Sequence, residues 1–96
     1  MTDAPEIHRE ENDSKGRYWL QIDGHEAELT YSRLGGAAII IDHTGVPDAL
    51  RGRHAGHALV ARAVEDARKE GRKIVPLCPF AKAQIARHAE WQDVLQ

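Results

Sequence analysis

Cysteine, aromatic residues and long apolar runs are all scarce in this chain of 96 residues. It has one cysteine, so no internal disulfide can form and a reducing compartment is the natural setting. The longest strongly apolar run, residues 37–41, is too short to cross a bilayer, and residues 1–16 are polar and lack the apolar core of a signal peptide. These absences predict a cytoplasmic protein with no membrane partner.

A basic excess is also missing, since the net charge is −2 and the isoelectric point is near 6.3. A general nucleic-acid-binding protein would usually carry a basic excess or a basic stripe, so no nucleic-acid partner is expected. Hydrophobic residues make up 42% of the chain and charged residues 29%, which is ordinary for a soluble protein. This length predicts one domain covering residues 1–96, with a modest stability that a bound ligand could raise.

The first half of the chain has the patterns of strands separated by turns. Residues 6–11 predict a weak edge strand, and residues 17–23 and 26–34 predict two stronger strands joined by an Asp23-Gly24 hairpin turn. Gly35-Gly36 closes a second hairpin. Residues 37–44 no longer alternate, which predicts a strand covered on both faces of the sheet. The side chains predicted to face the core from the two alternating strands are Tyr18, Leu20, Ile22, Ala27, Leu29 and Tyr31.

The second half changes to a helical period. Small or apolar residues recur at three- and four-residue spacing from Ala55 to Glu70, and Gly71 ends this predicted helix. Residues 73–78 predict a short buried strand, Pro79 begins a second helix over about residues 80–88, and residues 89–96 add one helical turn. The order β-β-β-β-α-β-α predicts an α+β (α/β) fold with a mixed, mostly antiparallel sheet. The polar face of the long helix is predicted to carry Arg62, Glu65, Asp66, Arg68 and Lys69.

The loop before the long helix has the composition of an anion-binding site. A helix N-terminus offers amides without internal partners and a partial positive charge. Gly52, Ala55 and Gly56 would let an anion approach the backbone, and Arg51 and Arg53 would add charged donors. Because an ordinary loop with a solvated basic rim has the same composition, the loop alone leaves both interpretations open.

Several short motifs carry a resemblance to a known family. Arg51-Gly52-Arg53-His54-Ala55-Gly56 resembles the pyrophosphate loop of the GNAT acyltransferases, Gln/Arg-x-x-Gly-x-Gly/Ala, with His54 where the family has glycine. The chain is still more similar to a small single-domain branch, the YjdJ-type N-acetyltransferase domain, over about residues 16–94. The matching segments are His43-Thr44-Gly45-Val46, Pro76-Leu77-Cys78-Pro79-Phe80 and, more loosely, His88-Ala89-Glu90-Trp91.

The resemblance implies a minimal GNAT-like fold whose fourth and fifth strands splay apart around the pantetheine arm of acetyl-CoA or CoA. It implies transfer of an acetyl group from acetyl-CoA to an amine, such as a protein lysine or N-terminus. An open sheet edge could pair with a second copy, so a monomer or a weak dimer is expected. The residues that the resemblance and the loop composition assign to the cofactor are Thr44, Val46, Arg51, Gly52, Arg53, His54, Ala55, Gly56, His57, Pro79 and Phe80.

Cys78 and His43 are the candidates for catalysis. Cys78 precedes a predicted helix N-terminus, which would lower the pKa of its thiol. In the implied arrangement it would protonate the departing CoA thiolate, line the thioester pocket or take up the acyl group, whereas a lone cysteine in an apolar strand is usually a core residue. His43 is either a general base or a structural residue that ties the strand end to the loop by a hydrogen bond. No metal site is expected, because His54 and His57 have no cysteine or carboxylate at matching spacing.

Two other functions remain open at this point. Larger GNAT enzymes build the acceptor pocket from additional helices and strands, and this chain is too short to hold both, so the acceptor would be a flexible or exposed amine. The alternatives are a non-catalytic CoA- or acyl-CoA-binding module and an interaction protein that keeps the fold but has lost the ligand. His54 at the glycine position favours these alternatives.

Overall fold

The computed structural model describes residues 5–96, and its strands form one five-stranded sheet in the order β1-β2-β3-β4-β5. The first four strands pair antiparallel with their neighbours, and β5 pairs parallel with β4. The predicted mixed, mostly antiparallel α+β fold is therefore confirmed. The strands are β1 (His8–Glu11), β2 (Lys15–Ile22), β3 (His25–Leu34), β4 (Ala38–Gly45) and β5 (Lys73–Pro76).

Two helices and two short 3-10 turns complete the described chain. Helix α1 (Ala55–Glu70) connects β4 to β5, and helix α2 (Pro79–Ala86) follows β5. The 3-10 turns span Asp48–Leu50 and Ala89–Val94. Within residues 5–96, no helix is long and apolar enough to cross a bilayer.

The hairpin between β2 and β3 turns at the predicted dipeptide. Asp23 and Gly24 have φ angles of 51° and 80°, and both therefore lie in the left-handed region. A two-residue turn of this kind matches the twist of the strands it joins, which is why Asp-Gly is favoured there. The turn fixes the register in which Ile22 pairs with His25, and this register places the predicted core residues on one face.

Both helices pack on that same face of the sheet, which holds the core. The predicted inward residues of β2 and β3, apart from the partly buried Ile22, are at most 1% exposed, and they share one cluster with apolar residues of α1 and α2. We call the other side of the sheet the outer face, and among residues 5–96 no helix covers it. The outer face carries the alternate strand residues Glu10, Lys15, Arg17, Trp19, Glu26, Glu28, Thr30, Ser32, Ile40, Asp42 and His43.

The prediction that residues 37–44 are covered on both faces is wrong. Ile39 and Ile41 are buried in the core, whereas Ile40 points to the outer face and is only partly buried. Its neighbours across the strands are Ser32 and Val75, which shield it from the sides without a covering layer. The apolar run therefore reflects the central position of β4 between two strands.

Helix α1 has the predicted limits, but its buried face is wider than the apolar pattern indicated. Gly71 ends the helix with a φ of 70°, as expected of a left-handed cap. Asp66, predicted to face solvent, is only 8% exposed. Its carboxylate accepts a hydrogen bond of 2.8 Å from the Tyr18 hydroxyl and another of 3.3 Å from Arg9. These donors from β1 and β2 make burial of the acid tolerable, and the helical pattern alone does not contain them.

The last residues of the chain cover the edge of β5. Trp91 and Val94 are buried in the core, as predicted for the final turn. Leu95 forms a bridge with Ile74, and the N–H of Gln96 donates to the carbonyl of Ile74 at 3.1 Å. Because these residues occupy hydrogen-bonding groups at the β5 edge, that edge is less open to another strand than a bare one.

Candidate functional site

Strands β4 and β5 separate at Ile41. They pair only from Ala38 with Lys73 to Ile41 with Pro76. β5 stops there, two residues earlier than predicted, because the N–H groups of Leu77 and Cys78 both point to the Ile41 carbonyl, at 3.2 and 3.1 Å. β4 continues to residue 45 and pairs there only with β3. A gap therefore opens beside residues 42–45, as the family resemblance implied.

A β-bulge in β4 lies at the start of this gap. Tyr31 of β3 pairs with Ile41, and the preceding residue Thr30 pairs with His43, so Asp42 is an extra residue on β4. Bulges of this kind bend a strand and increase its local twist. The bulge therefore helps β4 to diverge from β5.

The loop before α1 leaves the start of the helix open. Gly52 and His54 have φ angles of 82° and 60°. His54 is the N-cap residue, yet it provides no side-chain cap, and the first turn of α1 contains no acidic residue. The first amides of the helix thus have no side-chain acceptor, and the helix dipole adds positive potential there. This is a suitable environment for an anion.

His54 occupies the glycine position of the family motif in a backbone conformation that glycine adopts readily. Its φ of 60° lies in the left-handed region, which is favourable for glycine and costs other L-residues roughly 1 kcal/mol or more. Histidine is among the residues found there more often than average. The departure from the motif therefore adds a side chain and some strain.

A cavity of about 320 Å³ lies at this helix start, and we call it the cofactor cavity. Eight of the eleven residues predicted to bind the cofactor line it: Val46, Arg51, Gly52, His54, Ala55, Gly56, His57 and Phe80. The sequence analysis missed Pro47, Asp48, Leu50 and Gln84, which line the cavity as well. Gln84 follows Phe80 by one helical turn, so the i, i+4 spacing on the second helix could have identified it.

Three predicted cofactor residues lie outside the lining. Arg53 is directed to the β2–β3 hairpin, where its guanidinium donates to Asp23 at 3.0 Å. Pro79 is the first residue of α2, and Thr44 lies on the separated part of β4. Arg51, in contrast, is highly exposed, and its one ion pair among residues 5–96 is with Asp48, at 3.2 Å. Since exposed pairs of this kind are weak, the Arg51 guanidinium is available to an anion.

Gly56 has a packing role that the sequence analysis did not identify. A Cβ atom at this position would lie 2.6 Å from the Phe80 ring and 3.3 Å from Cγ2 of Val46. The missing side chain lets the first turn of α1 approach α2 and the segment after β4. Gly56 therefore sets the width of the cofactor cavity.

Two further aromatic residues adjoin His57. Its Nδ1 lies 3.3 Å from Oε1 of Gln84, and its ring stacks on Trp91 with centroids 5.6 Å apart. Trp91 also stacks on His88, with centroids 4.0 Å apart. The loosely matched segment at residues 88–91 thus supports the wall of the cofactor cavity. Within residues 5–96, no three His, Cys, Asp or Glu side chains are grouped so that they could hold a metal ion.

Cys78 lies on the core side of the gap, immediately before α2. It is 6% exposed, and its Sγ is 3.4 Å from Oγ1 of Thr44. Burial acts to raise the pKa of the thiol, but the Thr44 hydroxyl and the amides of Ala81, Phe80 and Thr44 outweigh it, so the pKa falls below its usual value. Cys78 is thus both a core residue, as one interpretation held, and a thiol whose pKa is lowered by its neighbours.

His43 does not lie on the same side of β4 as Cys78. Thr44 pairs with the core residue Leu29, whereas His43 pairs with Thr30 on the outer face. The His43 side chain is exposed and makes no hydrogen bond within the described residues, so the proposed structural tie to the loop is not seen. Its Nε2 lies 3.1 Å from the point where a Cβ on Gly45 would stand. The ring therefore extends along the strand toward the open end of the gap.

Comparison with known proteins identifies the family and the fold of this chain. Residues 17–94 match the sequence profile of a family described as GCN5-related N-acetyl-transferases. None of the curated proteins matches the chain. A solution NMR structure of a GCN5-like protein from Staphylococcus aureus, whose N-acetyltransferase activity is itself inferred, superposes with a TM-score of 0.74 at 34% identity, covering 95% of this chain and 87% of that one. Because the profile covers most of the chain and the fold agrees, this chain belongs to the GCN5-related N-acetyltransferase family.

Proposed function

We propose that this protein binds acetyl-CoA and transfers its acetyl group to an amine. The observation that carries the proposal is the unpaired edge of β4, which lies between the open N-terminus of α1 and the Cys78 thiol. Such an edge presents peptide groups without a partner strand to an extended ligand with amides of its own. We also propose that the protein acts in the cytoplasm, as a monomer or weak dimer.

The chain's own groups fit the parts of CoA. The diphosphate would lie at the first amides of α1, with Arg51 as an additional donor. The pantetheine arm would lie along residues 42–45, where the β4 backbone lacks a partner strand. Val46, Phe80 and the Gly56 backbone would form the apolar part of the wall. The thioester would then lie close to Thr44 and Cys78.

Acetyl transfer to an amine requires one group that accepts a proton and another that donates one. The amine nitrogen bonds to the thioester carbonyl carbon, the carbon–sulfur bond breaks, the nitrogen loses a proton and the departing sulfur gains one. His43 would accept the first proton, because a neutral imidazole has a nitrogen that can accept one and this side chain is exposed beside the gap. Cys78 would supply the second, since a lowered pKa makes its proton easier to transfer.

A CoA titration followed by backbone amide shifts tests the binding site. We expect the perturbed amides to cluster at residues 43–58 and 76–80. Perturbations confined to other parts of the chain, or none at millimolar CoA, would overturn the proposal. Labelled acetyl-CoA with polyamine, peptide and protein acceptors then tests catalysis, which requires transfer above the uncatalysed rate.

Variants of the two candidate residues separate their roles. His43→Ala should lower kcat and flatten the dependence of the rate on pH, while CoA binding stays unchanged. Cys78→Ser should keep CoA binding and lower kcat. Intact-mass measurement without an acceptor distinguishes proton transfer, which leaves the protein mass unchanged, from uptake of the acyl group on Cys78, which adds one acetyl group.

A non-catalytic CoA-binding module is the second candidate. One observation favours it: His54 replaces the glycine of the motif with a strained residue. This function predicts a higher melting temperature with CoA and no turnover with any acceptor. Transfer that depends on His43 would exclude it.

A further inference from the structure

The outer face of the sheet contains a second and larger cavity, which the cofactor site does not use. Its volume is about 610 Å³, and we call it the outer cavity. It extends across the first four strands. The outward side chains that line it are Glu10, Lys15, Arg17, Thr30, Ser32 and Asp42.

The outer face has an excess of negative charge. It carries the four carboxylates of Glu10, Glu26, Glu28 and Asp42 against the three cations of Lys15, Arg17 and Lys73, which gives a net charge of −1. Arg17 is already engaged, because its guanidinium lies 2.9 Å from Glu26 and 3.0 Å from Glu28. Surface potential of this sign attracts cationic partners and repels anionic ones.

Asp42 is the carboxylate best placed to receive a cation. Its Oδ2 accepts a hydrogen bond of 2.7 Å from the Ser32 hydroxyl, which holds it on the outer face. Within residues 5–96 no Lys, Arg or His side chain forms an ion pair with it. The exposed Lys15 likewise has no carboxylate partner there. Asp42 is therefore an unpaired carboxylate, and Lys15 an unpaired cation, of this surface.

The position of Asp42 connects the outer cavity to the gap. Asp42 is the bulge residue at which β4 leaves β5, and His43 follows it on the outer face. Thr44, beside Cys78, is two residues further, or about 7 Å along an extended strand. A ligand in the outer cavity therefore reaches the gap from the face opposite to the helices and the cofactor cavity.

We propose that the outer cavity is the docking surface for the acceptor, and that the acceptor is an extended, lysine-containing peptide segment with cationic neighbours. This inference rests on the proposed acetyl transfer. The reacting amine would enter the gap beside His43, while a neighbouring Lys or Arg of the peptide pairs with Asp42 and Glu10. Acetyl-CoA and the peptide would thus approach the separated strands from opposite faces, so that neither blocks the other.

The test compares three peptides of equal length, each with one central lysine, whose flanking residues are arginine, serine or glutamate. Steady-state transfer should give the lowest KM for the arginine-flanked peptide. Asp42→Asn should raise that KM about three- to fivefold, and the Asp42→Asn/Glu10→Gln double variant somewhat more, as expected for partly exposed ion pairs. The KM for the serine-flanked peptide, which has no cation beside its lysine, should change much less. Glu65→Gln, which removes an exposed carboxylate from α1, is the matched control and should behave as the unmodified protein.

Binding of the same peptides is measured separately by backbone amide shifts, which need no turnover. Shifts at Lys15, Thr30, Ser32 and Asp42 with the arginine-flanked peptide support the docking surface, even if no transfer occurs. Equal KM values for the three peptides, or peptide shifts away from the outer face in a protein that binds CoA, would overturn the docking surface and leave acetyl transfer intact. Absence of CoA binding would instead contradict the proposed function. The peptide titration would still show whether the outer cavity binds the peptide.

Discussion

The Sγ of Cys78 lies 3.4 Å from the Oγ1 of Thr44, and this contact crosses the gap at the point where β4 and β5 have ceased to pair. A hydroxyl can rotate to accept a proton from a thiol or to donate one to a thiolate. Thr44 therefore does more than fill the core side of the gap. Together with the amides of Ala81 and Phe80 at the start of α2, it lowers the pKa of the Cys78 thiol.

Thr44→Val should raise the pKa of Cys78. The substitution keeps the shape of the side chain and removes the hydroxyl that stabilises the thiolate, while burial, which raises the pKa, remains. Rates of thiol alkylation measured across pH report the pKa directly. Thr30→Val on the outer face is the matched control and should leave the alkylation profile unchanged. An unchanged profile in Thr44→Val would show that the backbone amides lower the pKa without help from the hydroxyl.

The elements of the fold could be predicted from the sequence because they depend on local patterns. Alternation placed Tyr18 and Leu29 in the core, and helical spacing gave the limits of α1. The burial of Asp66 was missed because it depends on the Tyr18 hydroxyl, which is 48 positions away in sequence. A pattern confined to one element contains no information about a partner on another element.

The candidate site was predicted mainly from the motif, since most of its residues lie in one loop and helix start. The features of the site that the sequence did not predict depend on the pairing between strands. The bulge at Asp42 exists only in the register of β3 against β4, and it decides that His43 and Thr44 face opposite sides. The outer cavity was missed for the same reason, because its lining comes from four strands.

His54→Gly should not destabilise the protein, although His54 begins the longest helix. Glycine relieves the cost of a φ of 60°, and its greater freedom in the unfolded chain offsets part of that gain. His54→Ala keeps the strain and should be about 1 kcal/mol less stable than His54→Gly. Urea denaturation of the three proteins provides the comparison. If His54→Ala were as stable as His54→Gly, residue 54 would not adopt the left-handed conformation in solution.

Gly56→Ala should destabilise the protein by about 1 kcal/mol, at the lower end of the range for overpacking. The added Cβ would meet the Phe80 ring at 2.6 Å, but the nearest atoms belong to the far side of a partly exposed ring that can move. In a Phe80→Ala background the same substitution should cost little or nothing, because the atoms it would meet are gone. A double-mutant cycle in urea measures the coupling. Independent effects of the two substitutions would mean that the α1–α2 contact does not set the cavity width.

Arg51→Gln should weaken CoA binding through the diphosphate alone. A charge-assisted hydrogen bond to a phosphate contributes about 1.5–3 kcal/mol, and the exposure of Arg51 places the expected loss at the lower end, near tenfold in Kd. Acetyl-pantetheine, which lacks the diphosphate, should bind the variant and the unmodified protein equally. Lys69→Gln removes a positive charge near the other end of α1 and serves as the control. A parallel loss for both ligands would place Arg51 away from the diphosphate.

Glu11 should make the stability of the protein depend on pH in the acid range. The Arg72 guanidinium, at 2.8 Å, and the Tyr31 hydroxyl, at 2.6 Å, hydrogen-bond its carboxylate and lower its pKa from 4.5 to about 2. Because the folded pKa lies below the unfolded one, the stabilisation is fully present above pH 4.5 and is lost as the pH falls toward 2. Glu11→Gln should therefore be less stable than the unmodified protein at pH 7, and the difference between the two in urea denaturation should shrink steadily below pH 4.5. Glu65→Gln, on the exposed surface of α1, should show no such convergence. A difference for Glu11→Gln that stayed constant down to pH 2 would mean that Glu11 stabilises the fold by packing and not by its charge.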